Sequence, residues 1–217
     1  MLLPKCRVYI LLYTYMGIYS DYNIIPIGDH CVIAIILKEL GLRKQSYPFD
    51  WITNKEQLYD TNIMHNIQII DELATSDNVN TIVRKYIGNA FTNNNINSVN
   101  NIWFPHDTER IPDIFEKYKR RFIRLKQDLC KKNVFIIVTR YYYIPQDTFR
   151  HILERLLIYN SNSIILFISG INHTYFENGK YANVTFKYIE YDISQFYDYD
   201  YSTFRPNVKK FLSNFLL

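Results

Sequence analysis

Only three cysteines, Cys6, Cys31 and Cys130, occur in the 217 residues, and no two of them stand at the close spacing of a zinc or redox motif. Three thiols cannot all pair, which excludes a disulfide-stapled scaffold and makes a reducing compartment the economical reading. Glycine is scarce at six residues, and neither G-x-x-x-x-G-K-[ST] nor G-x-G-x-x-G is present, so the common nucleotide cradles are excluded and no cofactor is called for. Charge of one sign is lacking too. The 25 Lys and Arg against 21 Asp and Glu leave +4, too mild a balance to require a nucleic-acid partner. No internal repeat is visible. The apolar run from Val8 to Tyr19 is too short for an ordinary membrane span, so no stable span is expected. Following Lys5 and Arg7, it has the length of a secretory signal core. It is studded with Tyr, however, and ends at Ile18-Tyr19-Ser20 without the small residues that a signal peptidase prefers. Residues 1–23 are therefore read as an N-terminal extension or strand, with a signal as the alternative.

What is present suffices for one globular domain over residues 24–217, with 48% of the residues apolar and 21% charged. The 20 Tyr and 14 Phe accompany abundant Asn and Ile, the signature of AT-rich codons, so the tyrosines are not taken as a sign of stacking function. Ile24 to Ile27 reads as a strand, Gly28 as a tight turn, and the apolar residues from Val32 to Leu40 as a helix stopped by Gly41. Asp29 suits its N-cap, which would put Cys31 in the first turn. Thr53 and Glu56 stand at capping-box spacing and predict a second helix toward Leu73, and Asn89 to Asn101 reads as an exposed loop.

Ile111, Phe115, Tyr118, Phe122, Leu125 and Leu129 recur at helical spacing and predict an amphipathic helix. Beyond it, Val134–Val138, Ile164–Ile168 and Val184–Ile189 read as buried strands, with a helix over Asp147–Ile158. Strands alternating with helices predict an α/β domain with a mostly parallel central sheet, a papain-like α+β fold being the alternative. In such a sheet, sites form beyond the carboxyl ends of the strands. Gly28–Cys31, Arg140–Tyr143, Gly170–His173 and Tyr191–Asp192 all follow a strand and would share one crevice if the sheet is parallel.

Among these residues Cys31 is the candidate nucleophile, because a thiol at a helix N-terminus feels the positive end of the backbone dipoles and is shifted toward thiolate. A buried apolar cysteine is the bland reading. His106 is the candidate base, and Asp192 is one candidate to orient it, with Asp50, Asp107 and Asn172 as alternatives. A zinc site from His30, Cys31, His106 and His173 is set aside, since adjacent His30 and Cys31 would point in different directions. Arg43 and Arg140 are candidates for holding a substrate anion or carboxylate. Asp50, between Phe49 and Trp51, needs a partner if buried, and Arg43 or a backbone N–H could supply it. Between Arg110 and Lys132 nine basic residues stand against three acidic ones, read foremost as a solvated helix face.

The stretch Ile27-Gly28-Asp29-His30-Cys31, continuing through Ala34, Leu37, Leu40-Gly41-Leu42-Arg43 and Ser46-Tyr47-Pro48-Phe49-Asp50-Trp51, resembles the hallmark of the DUF1796 family, whose members are described as papain-like cysteine peptidases. Phe104-Pro105-His106-Asp107 and Tyr118-Lys119-Arg120-Arg121-Phe122-Ile123-Arg124-Leu125 extend the likeness. The resemblance implies Cys31 as nucleophile and His106 as base. The expectation is a cysteine-dependent hydrolase acting on a peptide or other acyl substrate, with Asp192 as third member and Arg43, Asp50, Trp51 and Arg140 contacting substrate. The expected location is the cytoplasm, that of a host if the chain is viral. The rival expectation is a non-catalytic module that holds an acidic or phosphorylated ligand through Arg43, Arg140 and the basic helix.

Overall fold

The structure is a computed structural model that describes residues 19–28, 31–51, 53–54, 59–87, 102–103, 111–140, 142–176, 181–191 and 203–217. Its strands are β1 (Asn23–Pro26), β2 (Thr53–Asn54), β3 (Ile102–Trp103), β4 (Asn133–Thr139), β5 (Ile164–Ser169) and β6 (Val184–Tyr188). The helices are α1 (Val32–Glu39), α2 (Tyr59–Thr75), α3 (Val79–Tyr86), α4 (Ile111–Leu129), α5 (Gln146–Leu157) and α6 (Phe204–Leu216).

Four strands form one sheet in the order β1-β4-β5-β6, and every neighbouring pair is parallel. The chain is thus an α/β domain, and among the described residues the antiparallel sheet of a papain-like α+β fold has no counterpart. The only antiparallel pairing among the described residues is the small β2–β3 ladder, Thr53 opposite Trp103. That ladder corrects one expectation. Thr53 does not cap a helix but lies in β2, and α2 starts at Tyr59.

The reason the central strands read as continuous apolar runs is that both faces are covered. Val134, Ile136 and Val138 of β4, with Leu166 and Ile168 of β5, pack on one side against α1 and α6. Phe135, Ile137, Ile165 and Phe167 point to the other side, where α2, α3, α4 and α5 supply the cover. The pleat's period of two assigns alternate residues to the two layers. α4 shows which effect dominates. Its buried stripe of Ile114, Tyr118, Phe122, Leu125 and Leu129 gains about 1.5–3 kcal/mol per large apolar side chain, whereas an exposed pair such as Lys119–Glu116 at 3.8 Å adds a few tenths.

α1 ends as its sequence predicts. Gly41 adopts φ 70°, and the amides of Leu42 and Gly41 bond back to the carbonyls of Leu37 and Lys38 at 2.9 and 3.1 Å. This is the left-handed termination that glycine tolerates without a Cβ penalty. Two helices have no counterpart in the sequence reading: α3, capped by Asn78, whose side chain accepts from the Asn80 amide at 3.0 Å, and α6 at the C-terminus.

Candidate functional site

Because all four strands run the same way, their carboxyl ends open on one edge of the sheet. The neighbouring ends approach each other closely at two glycines. A Cβ on Gly28, just after β1, would lie 3.3 Å from the backbone of Val138 in β4. A Cβ on Gly170, just after β5, would lie 1.8 Å from the Arg140 carbonyl oxygen and 2.6 Å from Cβ of Tyr191. Gly170 is therefore required, and it sets the segments after β4, β5 and β6 directly against one another. The Gly170 amide donates to Thr139 at 2.9 Å, and the buried Ser169 hydroxyl accepts from Thr139 Oγ1 and the Ile171 amide at 3.0 and 3.1 Å.

Cys31 stands on this edge, immediately before α1 rather than inside its first turn. Its carbonyl accepts the first helical bond, from the Ile35 amide at 3.2 Å, and its backbone is already helical. The residue is half-buried and forms no disulfide. A thiol so placed lies beside amides at the positive end of an eight-residue helix, the setting that favours thiolate. Asn66 of α2 reaches the same turn by donating to the Ile27 carbonyl at 3.4 Å. Arg140, only 8% exposed, leads the segment after β4, and Tyr142 and Tyr191 add buried hydroxyls on that edge. Asp29, His30, His106, Asp107 and Asp192 lie outside the described residues.

The other named side chains gather elsewhere. α1 is about 12 Å long, at 1.5 Å per residue, and Arg43 follows its far end. There its guanidinium donates to Asp50 Oδ2 at 2.5 Å and to Ser46 Oγ at 2.8 Å, and lies 5.6 Å over the Trp51 ring. Asp50 is 1% exposed and also accepts from the Tyr47 amide at 3.1 Å, so the carboxylate has both partners the sequence suggested for it. Burial raises the Asp50 carboxyl above the usual carboxylate range, and Arg43, the Tyr47 amide and the nearby Arg121 offset part of that rise. Asp50 Oδ1 and Arg121 Nη1 are buried without a hydrogen bond, so this cluster carries unmet polar demand. Tyr47 closes a second buried link, donating to Asp128 at 2.8 Å, which pins the segment after α1 to the end of α4. The structure thus joins Arg43, Asp50 and Trp51 to one another and separates the Arg43–Asp50 pair from Cys31 by the length of a helix.

The basic residues of α4 and of the turn after it are largely occupied. Arg124 donates to the Ser46 carbonyl at 2.5 Å, Lys126 to that of Ser76, Lys131 to Asp128 at 2.8 Å and Lys132 to Asp21 at 3.1 Å. Arg121 lies 4.8 Å over Tyr118. These cations brace the fold, which leaves few of them for an external anion.

His173, which the sequence placed near the crevice without a role, is 0% exposed. Its Nε2 accepts from the Ile144 amide at 3.0 Å, and its Nδ1 donates to the Ile171 carbonyl at 2.9 Å. Nδ1 carries the proton and the Nε2 lone pair is taken by the Ile144 amide, so the ring offers none to a metal. Among the described residues no cluster of three or more His, Cys, Asp or Glu is placed to hold one. Burial lowers the affinity of His173 for a proton below that of an ordinary imidazole. Tyr175 and Phe176 beside it in sequence were the only local hint of burial; Tyr143, Phe167 and Phe186 reach its ring from other segments, and all five meet it.

The arrangement is that of an open parallel α/β domain with a thiol at the strand-to-helix turn on its carboxyl edge. Residues 22–69, from just before β1 into α2, match the DUF1796 family, described as "Putative papain-like cysteine peptidase", the family that the sequence resembles. The matched segment holds Cys31, Arg43, Asp50 and Trp51 and ends before His106, Arg140 and Asp192. An uncharacterized protein of Acanthamoeba polyphaga mimivirus is 25% identical over 182 residues, spanning 71% of this chain and 79% of that protein. No solved structure matches the chain. No helix among the described residues is long and apolar enough to cross a membrane.

Proposed function

We propose that the protein is a cysteine-dependent hydrolase of peptide or related acyl bonds. The observation that carries this reading is the half-buried Cys31 thiol at the N-terminus of α1, on the carboxyl edge of a parallel sheet and within the segment that matches a cysteine peptidase family. In the proposed reaction His106 takes the proton from Cys31 Sγ, and the thiolate attacks the acyl carbon. The resulting oxyanion is held by backbone N–H groups between His30 and Val32. Collapse breaks the acyl bond as His106 returns the proton to the leaving group, and water then cleaves the thioester, regenerating the thiol. Asp192 accepts from the second ring nitrogen of His106 and fixes its orientation.

Arg140 is the residue we assign to substrate contact on this edge. We give Arg43, Asp50 and Trp51 a supporting part, through the ion pair that fixes the chain after α1. The mimivirus relative and the requirement for a reduced Cys31 support action in a reducing compartment, the cytoplasm of an infected host if the chain is viral.

The test is the pH dependence of Cys31 alkylation in a Cys6→Ser, Cys130→Ser background, with and without His106→Ala. We expect Cys31 to react fast well below the ordinary thiol pKa of about 8.5, and His106→Ala to abolish that advantage. A Cys31 that titrates as an ordinary thiol in both proteins overturns the proposal.

A further inference from the structure

His173 belongs to no step of the proposed reaction, yet it is the most completely enclosed imidazole among the described residues, and it joins the segments that follow β4 and β5 on the carboxyl edge that Cys31 also occupies. From the segment after β4 the Ile144 amide donates to Nε2 at 3.0 Å; from the segment after β5 the Ile171 carbonyl accepts from Nδ1 at 2.9 Å. The same two segments meet again where the Tyr175 hydroxyl donates to the Ile144 carbonyl at 3.0 Å. The Tyr143 ring stacks on the imidazole at 4.8 Å and 7°, closing it from the exposed side. These contacts determine the tautomer. Nε2 must be the acceptor, so the ring is neutral with its proton on Nδ1.

We propose that His173 is a positioning residue, a neutral imidazole latch that holds the Arg140–Ile144 segment against the Gly170–Tyr175 segment and that acid releases. The latch itself is independent of the hydrolase reading, while its consequence for Cys31 rests on that reading. Protonation turns Nε2 from acceptor into donor and sets it against the Ile144 N–H, another donor, so that bond cannot persist. The groups that face the ring from each packed element are Tyr143 after β4, Phe167 of β5, Tyr175 and Phe176 of the short turn after it, and Phe186 of β6. Among the described residues the two phenols are the only titratable groups that meet the ring. No charged side chain of the described residues compensates an imidazolium there.

Glutamine and asparagine substitutions separate the two bonds. The side chain introduced by His173→Gln reaches as far as Nε2 with an acceptor oxygen and does not titrate, whereas His173→Asn places its amide near Nδ1 and leaves the Ile144 amide unmet. The experiment is amide hydrogen exchange of Ile144 between pH 7.5 and 4.5, corrected for intrinsic exchange, in the wild-type protein, His173→Gln and His173→Asn. The Cys31 alkylation rate is recorded alongside. We expect wild-type protection of Ile144 to fall at least tenfold on acidification, in step with the ring's own titration followed by NMR, and His173→Gln to keep its protection across the range. His173→Asn should lack protection at every pH.

Wild-type protection that does not change with pH, or that falls equally in His173→Gln, overturns the latch, and the wild-type titration decides this even if neither variant folds. If the latch opens as expected while an activated Cys31 keeps its rate, the positioning role is overturned. An ordinary, unactivated Cys31 with a working latch counts instead against the hydrolase reading alone.

Discussion

Arg43 and Asp50 form the ion pair with the most to lose on substitution. Asp50 is 1% exposed, and a guanidinium 2.5 Å away and one backbone amide offset part of the cost of burying its carboxylate. Arg43→Met removes the cation and leaves a buried charge, a change that costs about 3–5 kcal/mol where the charge stays buried. The sign of the pH dependence follows from the raised carboxyl. A folded pKa above the unfolded one means that the native state binds more protons in that window, so the contribution of Asp50 to stability declines as pH rises through it. Loss of Arg43 raises that pKa further. Urea unfolding should therefore show Arg43→Met losing more stability at pH 7.5 than at pH 4.5, and an equal loss at both would mean that the charge on Asp50 is not what Arg43 answers. The residues of this pair were legible in sequence as a carboxylate between two aromatics with an arginine nearby. Arg43 past the Gly41 stop already stood at the opposite end of α1 from Cys31, but that Asp50 turns back to it there was not legible, because residue spacing does not show along which end of a helix a following loop returns.

At the scale of elements, two glycines of similar appearance in sequence carry different weight. Gly41 has φ 70° with nothing within 4 Å of a built Cβ, so Gly41→Ala meets only the left-handed backbone penalty of about 1 kcal/mol. Gly170 is tied to no positive φ, yet its Cβ would enter the Arg140 carbonyl at 1.8 Å, and neither backbone can give way without parting β4 from β5. Gly170→Ala should cost more than about 3 kcal/mol and shift the exchange of the Thr139–Ile144 amides, measured by denaturant unfolding and hydrogen exchange. Similar losses at the two positions would contradict the close approach. The helix stop at Gly41 is a local rule and could be read from the chain. The crossing at Gly170 is a contact between residues thirty positions apart.

For the whole molecule the question is what covers the second face of the sheet. α1 alone presents Val32, Ile33, Ile36 and Leu37, and the rest of that face is met by Phe204, Val208, Leu212 and Leu216 of α6. Ion pairs from Arg205 and Lys209 to Glu39 join α6 to the end of α1. Removing residues 204–217 would bare the apolar row of Val134, Ile136, Val138, Leu166 and Ile168. A chain ending at residue 203 should therefore lose cooperative thermal unfolding and bind a hydrophobic dye such as ANS. A cooperative transition within a few degrees of the full-length protein would show that α1 suffices.

Elements whose patterns are local could be read from the chain. α4 was read from the spacing of its stripe and β4 and β5 from their unbroken apolar runs, and together they implied a parallel sheet with covered faces, because a strand that is apolar at every position must be buried on both sides. Folding, through long-range pairing, decided which strands are neighbours. It also decided that Cys31 and Arg140 share an edge while Asp50 turns back to Arg43, and that His173 is a satisfied core residue linking two segments. Those outcomes depend on pairing and packing between distant residues, and no window along the chain contains both partners of such a contact.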